Sequence, residues 1–183
     1  MNASPTRPAL LFDVELWVRE NLRKAPSLKA ETLQAVAGFT LLWNLFEGLL
    51  CKTDANVKIF RDITKNLPSS PKLEELVDEC ISFYRSRYVA DQKMKPIFDR
   101  LHFRPKDKKE LVESVLKGKE DELGDKMLAL LIIAYRIRNN LFHGLKSVDI
   151  WNDQVKNISE ASRVLSIMIE AKGPYVFEQK QTT

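Results

Sequence analysis

The sequence predicts an all-α fold, a single helical bundle, from three observations. Apolar residues recur at spacings of three and four over long stretches, no alternating strand pattern of useful length appears, and the prolines fall between the periodic stretches. A chain of 183 residues with 44% apolar and 30% charged side chains suits one well-packed domain and is too balanced for disorder. One domain is therefore expected over residues 1–183, with a flexible start at 1–8 and a loose tail at 174–183.

The elements follow in order. Residues 9–24 carry Leu10, Val14, Trp17 and Val18 at helical spacing, and Pro26 and Ser27 then mark a stop and a cap. Residues 28–51 form a long second helix. A third, over 54–67, ends at Pro68-Ser69-Ser70-Pro71, the clearest turn in the chain. Pro71 suits the first turn of a fourth helix running to about Val89. Between 90 and 109 the periodicity weakens, with Pro96 and Pro105 interrupting a basic stretch, so this segment reads as an irregular, mobile insertion with one short helix. Residues 108–116 form a further helix stopped near Gly118. Residues 121–143 form a long apolar helix that Gly144 can end or kink. The last helix, 147–172, carries the stripe Val155, Ile158, Ala161, Val164, Leu165, Met168 and Ile169 before Gly173-Pro174 stops it.

Charge and cysteine content narrow the function. The net charge of +4 is uneven, because Lys93 to Lys119 holds nine Lys/Arg against Asp99, Asp107, Glu110 and Glu113. Such a segment suits nucleic-acid phosphates, and equally a solvated loop and helix face. Cys51 and Cys80 lack the spacing of a disulfide framework or a metal site, so no metal and no cofactor is expected and a reduced cytoplasmic setting follows most simply. The longest apolar run, Met127 to Tyr135, falls well below the roughly 20 residues that span a bilayer, so membrane insertion is not expected.

Chemistry concentrates in Arg138-Asn139-Asn140-Leu141-Phe142-His143, at the end of that apolar run. A guanidinium stays charged at cellular pH and grips phosphate through two parallel hydrogen bonds, while a histidine with an ordinary pKa of about 6.5 exchanges protons near neutrality. One group holds an anion and the other moves a proton. Five residues on a regular helix amount to about 140° of rotation and about 7.5 Å of rise, so Arg138 and His143 do not share a face. Either the helix kinks near Asn139-Asn140 or a second subunit completes the site. Asn139 and His143 are four apart and suited to a hydrogen bond that fixes the ring. The bland alternative pairs Arg138 with an acidic helix neighbour and leaves His143 as a C-terminal residue favoured by the helix dipole.

RNNLFHG resembles the arginine, polar residue, three further residues, histidine signature of HEPN (higher eukaryotes and prokaryotes nucleotide-binding) domains. The context is similar too: the run comes late in an all-helical chain, well after a helix bearing Phe39, Trp43, Phe46 and Glu47. The resemblance implies a HEPN-like bundle forming a homodimer whose two motifs line one cleft. It also implies a metal-independent endoribonuclease acting on RNA, a toxin or antiviral-defence effector with an antitoxin or defence-system protein as partner. Arg138 and His143 would be catalytic, and the products a 2′,3′-cyclic phosphate and a 5′-hydroxyl. A tyrosine two positions after the histidine, modified by partner enzymes in one branch of the family, is Leu145 here, so that mode of silencing lacks its target. The competing expectation is a non-catalytic HEPN module that binds nucleotide or RNA, or acts as an interaction scaffold. An unrelated helical bundle is a third.

Supporting residues follow from helical spacing. Leu131, Ala134, Arg138, Leu141 and Leu145 share a face, as do Val36, Thr40, Trp43, Glu47 and Leu50, so a charge sits on each of two apolar faces. Glu47 is expected to approach and orient Arg138 or His143, the alternative being a rim residue that reaches water. Arg136, on the Ile132, Arg136, Asn139, His143 line, is assigned to an adjacent RNA phosphate, with Asn140 and Lys146 as further RNA contacts. His102 reads as a surface histidine, and Trp17, Trp43 and Trp151 as core or dimer-interface residues.

Overall fold

A computed structural model describes residues 13–21, 29–142 and 152–173. Seven α-helices lie within the described residues: α1 Val14–Asn21, α2 Ala30–Leu50, α3 Val57–Thr64, α4 Pro71–Tyr88, α5 Lys109–Leu116, α6 Leu123–Phe142 and α7 Val155–Lys172. The described residues are all-α apart from one hairpin with two residues in each strand. The expectations for residues 1–8 and 174–183, and for Pro26, Ser27, His143, Gly144, Leu145, Lys146 and Trp151, lie outside the described residues.

α6 is the centre of the bundle, packed against α3, α4, α5 and α7, while α2 lies along α7. Every side chain from Lys126 to Ala134 is buried, which is why the stretch after Lys126 is apolar on all sides rather than along one stripe. α3 approaches α6 closely: a Cβ on Gly124 would stand 3.0 Å from the Thr64 carbonyl oxygen, a contact so tight that the crossing favours glycine there. The α7 stripe is core as its spacing predicts, with Ile158, Ala161, Val164, Leu165 and Met168 fully enclosed. α2 contributes Thr32, Phe39, Trp43 and Phe46 to the interior. It is also the one helix among the described residues long and apolar enough, by length and composition, to cross a bilayer.

Residues 90–109 do not form the loose insertion that the weak periodicity suggests. β1 Val89–Ala90 pairs antiparallel with β2 Lys93–Met94 across Asp91 and Gln92, both at positive φ, the geometry of a tight hairpin turn. A 3-10 helix over Pro96–Leu101 follows, and its Phe98 and Leu101 enter the core, Phe98 against Tyr88 and Phe103 at 5.6 and 5.0 Å between ring centroids. A few apolar anchors dock a segment whose remaining residues are polar. Pro71 opens α4 at its first turn, as expected.

Candidate functional site

The last two turns of α6 leave the apolar interior and carry Tyr135, Arg136, Arg138, Asn139 and Asn140. They meet an aromatic cluster built from α2, α3 and α6. Trp43 stacks on Tyr135 at 6.0 Å and packs against Phe39 and Phe46, while Phe60 meets Tyr135 edge-on at 5.6 Å.

Arg138 lies on this cluster. Its guanidinium carbon is 5.7 Å from the Trp43 ring centroid and 5.3 Å from that of Phe142, so the cation sits between two π faces. Phe142, four residues further along the helix, is half exposed, and Arg138 itself is half-buried. Arg138 Nη1 donates to Asn139 Oδ1 at 3.2 Å. Its Nε and the Asn139 Nδ2 are buried with no hydrogen-bond partner among the described residues, and no carboxylate pairs with the guanidinium there. Orphaned donors of this kind favour an incoming acceptor, since leaving them unmet costs about 1–3 kcal/mol each. Asn139 is buried and its oxygen is turned to Arg138. The contact to His143 that its spacing suggests involves a residue outside the described set.

Glu47 reaches the same cluster without touching the arginine. It accepts a hydrogen bond from Trp43 Nε1 at 3.2 Å, so it holds the ring on which Arg138 rests. No ion pair joins Glu47 to Arg138 among the described residues, so its approach to the arginine is indirect, through Trp43, while the alternative contact to His143 lies outside the described residues.

Arg136 is a clearer correction. Its side chain is 3% exposed, its Nε donates to the Leu101 carbonyl at 3.0 Å, and its Nη1 lies 3.1 Å from Asp107 Oδ2. That last contact is ionic rather than a well-formed hydrogen bond, because Nη1 lacks bonding geometry toward the carboxylate. Burial lowers the Arg136 pKa, opposed by Asp107, yet a guanidinium stays protonated in a protein. With its charge met by Asp107 and its side chain enclosed, Arg136 does not offer a cation to an RNA phosphate. Asn140 is also engaged. Its Nδ2 donates to the Arg100 carbonyl at 2.9 Å and points to that of Leu101 at 3.4 Å, clasping the end of the 3-10 helix, so its donor group is spent on the fold. The adjoining cavity of about 60 Å³, lined by Asn140, Arg87, Arg100 and Gln154, has room for a few waters rather than a nucleotide.

Comparison with profiles of known families, with curated proteins and with solved structures finds no match. The residues themselves carry the functional reading. Sequence reasoning did not single out Trp43, Phe142 and Asp107 as partners of the motif arginines. The Phe142 contact was readable from its i+4 spacing to Arg138, whereas Asp107 and Trp43 come from remote elements that no helical wheel relates to α6. Cys51 and Cys80 are buried and free. Burial, with Glu47 and Asp54 nearby, pushes the Cys51 thiol up to about 12, and burial and a hydrogen bond with Glu160 raise Cys80 further, so neither is poised as a nucleophile. Among the described residues no three His, Cys, Asp or Glu side chains converge on a metal-sized point.

Proposed function

We propose that this chain is a HEPN-type endoribonuclease that cuts RNA by attack of the neighbouring 2′-hydroxyl. The observation that carries the reading is Arg138: a half-buried cation on two aromatic rings, aligned by Asn139 and unmet by any carboxylate among the described residues, five positions before His143 in the RNNLFH run. A cation held this way keeps its charge for an external anion. In the reaction His143 takes the proton of the 2′-hydroxyl or delivers one to the leaving oxygen, and Arg138 neutralises charge growing on the phosphorane oxygens. The O2′–P bond forms as the P–O5′ bond breaks, leaving a 2′,3′-cyclic phosphate on one fragment and a 5′-hydroxyl on the other. DNA lacks the attacking group and is left intact.

Because the five residues from Arg138 to His143, on a regular helix, would set the two groups on different faces, a homodimer that sets two motifs across one cleft supplies both groups to a single linkage. We place the activity in the cytoplasm, in a toxin or antiviral-defence role, restrained by a protein that covers the site. Leu145 offers no hydroxyl for modification.

Purified protein is incubated with total RNA in EDTA beside Arg138→Ala and His143→Ala. Chelator-resistant cleavage by the wild type, ending in cyclic phosphates and falling by about 10²–10³ in each variant, is the expected result. Cleavage equal in all three proteins removes the proposed catalytic pair. RNA binding without cleavage selects the non-catalytic module.

A further inference from the structure

A second feature lies on the other side of Tyr135 along the chain's packing: an open cleft of about 670 Å³ walled by the start of α3 and by the loop preceding α5, with Tyr135 of α6 between them. Lys58 and Arg61 line one wall, Arg104, Lys106 and Lys108 the other. The single carboxylate in the lining, Asp107, is occupied by Arg136, and none of the five cations makes an ion pair among the described residues. Like charges gathered around a cavity repel one another, so the arrangement gains stability from an anion that enters it.

The walls are fixed rather than loose. Asp107 accepts the Arg104 backbone N–H at 2.7 Å and faces Arg136 at 3.1 Å, which binds the loop to α6 immediately after Tyr135. Lys108 holds a left-handed backbone, φ 54°, uncommon for a side chain of its kind. On the opposite wall Asn56 caps α3, its side chain accepting from Ile59 N at 3.1 Å, so the helix start presents its positive end to the lining. Tyr135 stacks on Trp43, the ring that carries Arg138. The basic cleft and the motif are thus joined through one stacked ring pair, Tyr135 on the cleft side and Trp43 under Arg138.

We infer that this cleft binds the phosphodiester backbone of single-stranded RNA next to the linkage presented to Arg138. Five cations without an ion pair among the described residues, two of them felt by Asp62 only at longer range, exceed what one phosphate group needs, and the volume is that of a nucleotide-sized site. This deepens the ribonuclease reading and rests on it for the identity of the strand, but binding is separable from cleavage. The shared chemistry is a nucleotide phosphate, and the test distinguishes a strand from a free mononucleotide.

The probe is a fluorescent single-stranded RNA with every 2′-hydroxyl methylated, which cannot be cut, titrated against the full chain at several salt concentrations. Lys58→Glu combined with Lys106→Glu changes two exposed positions in the cleft. Lys72→Glu combined with Lys119→Glu makes the same charge change at exposed positions outside it. The expected result is binding whose log K falls with log salt by about 0.7 for each phosphate contacted. The cleft variant should bind about tenfold or more weakly with a slope shallower by about 1.4, and the control pair within about twofold of wild type. Thermal unfolding checks that both variants remain folded, and Arg104→Glu, also exposed, repeats the test at a third position. Equal weakening by cleft and control pairs overturns the proposal, as does complete displacement of the strand by adenosine monophosphate at equal concentration, which makes a free nucleotide the occupant. If the cleft pair alone weakens binding while unmodified RNA is never cut, the cleft stands and the nuclease reading falls. If unmodified RNA is cut and the cleft pair neither binds nor cuts differently from wild type, the cleft falls and the nuclease reading stands.

Discussion

Arg136 and Arg138 leave α6 two residues apart, about 200° around the helix axis, and their surroundings differ in kind. Arg136 enters a closed setting made by the 3-10 helix and the loop after it, where a carbonyl and the Asp107 carboxylate receive it. Arg138 turns to α2 and meets ring faces and an amide, with no carboxylate among the described residues. Rings hold a cation in place without neutralising it, whereas a carboxylate consumes its charge. The same side chain on the same helix is therefore a structural lock in one position and, under the proposed function, a receptor for an external anion in the other. Which role each plays depends on what the neighbouring elements bring, and that contrast can be broken at either end.

The largest effect belongs to the lock. Arg136→Met leaves Asp107 buried without its cation, and breaking a buried pair from one side costs about 3–5 kcal/mol. In a chain of this size that corresponds to a melting temperature lower by roughly 10 °C. Replacing both partners, Arg136→Met with Asp107→Leu, removes the stranded charge and should recover most of the loss, because apolar substitution of a whole buried pair is often close to neutral. Denaturant unfolding of the three proteins measures this. A single-variant cost below about 1 kcal/mol would mean that Arg136 is not locked, and the contrast would vanish.

Much of this arrangement is legible in the amino-acid order, and the rest fails for identifiable reasons. Helical spacing predicts each α-helix among the described residues, because amphipathic stripes such as that of α7 report their own burial, although α7 begins at Val155 after a turn at 153–154 rather than running unbroken from 147. It misjudges Arg136 because the Ile132, Arg136, Asn139 line of α6 is taken as the outward one, although Ile132 already marks it as inward and all three are buried. A helix enclosed on every side from Lys126 to Ala134 has no polar face from which to count. The hairpin at Asp91-Gln92 is missed because neither residue is the glycine or asparagine that such turns favour. Residues 90–109 look loose because their anchors, Phe98, Leu101 and Asp107, are few and widely spaced, and their partners on α4 and α6 come from elsewhere in the chain. Long-range contacts of this kind leave no local periodicity.

A smaller effect is expected at the receptor end. Arg138→Lys keeps the charge but loses the planar group that spreads over two rings and reaches Asn139, interactions worth about 0.5–1 kcal/mol at a partly exposed site. The melting temperature should fall by about 1–4 °C, well short of the Arg136 variant. RNA cleavage should drop more than stability does, because a flexible ammonium cannot present two parallel donors to a phosphate. A loss of stability as large as that of Arg136→Met would show Arg138 to be a second lock.

The smallest effect tests how Glu47 acts. Its carboxylate accepts a hydrogen bond from Trp43 Nε1, and a glutamine at this position still offers an oxygen to the indole. Exchanging a charged acceptor for a neutral one weakens such a bond by about 1 kcal/mol, so Glu47→Gln should unfold only slightly earlier and cleave RNA at close to the wild-type rate. Glu47→Leu, which removes the acceptor and frees the ring beneath Arg138, should lower cleavage further than Glu47→Gln does. If the glutamine variant instead loses as much activity as Arg138→Ala, the negative charge itself matters at the site. Glu47 would then be acting on Arg138 or His143 directly, and the difference between the two arginines would owe less to aromatic support than to a carboxylate that closes on the motif when RNA binds.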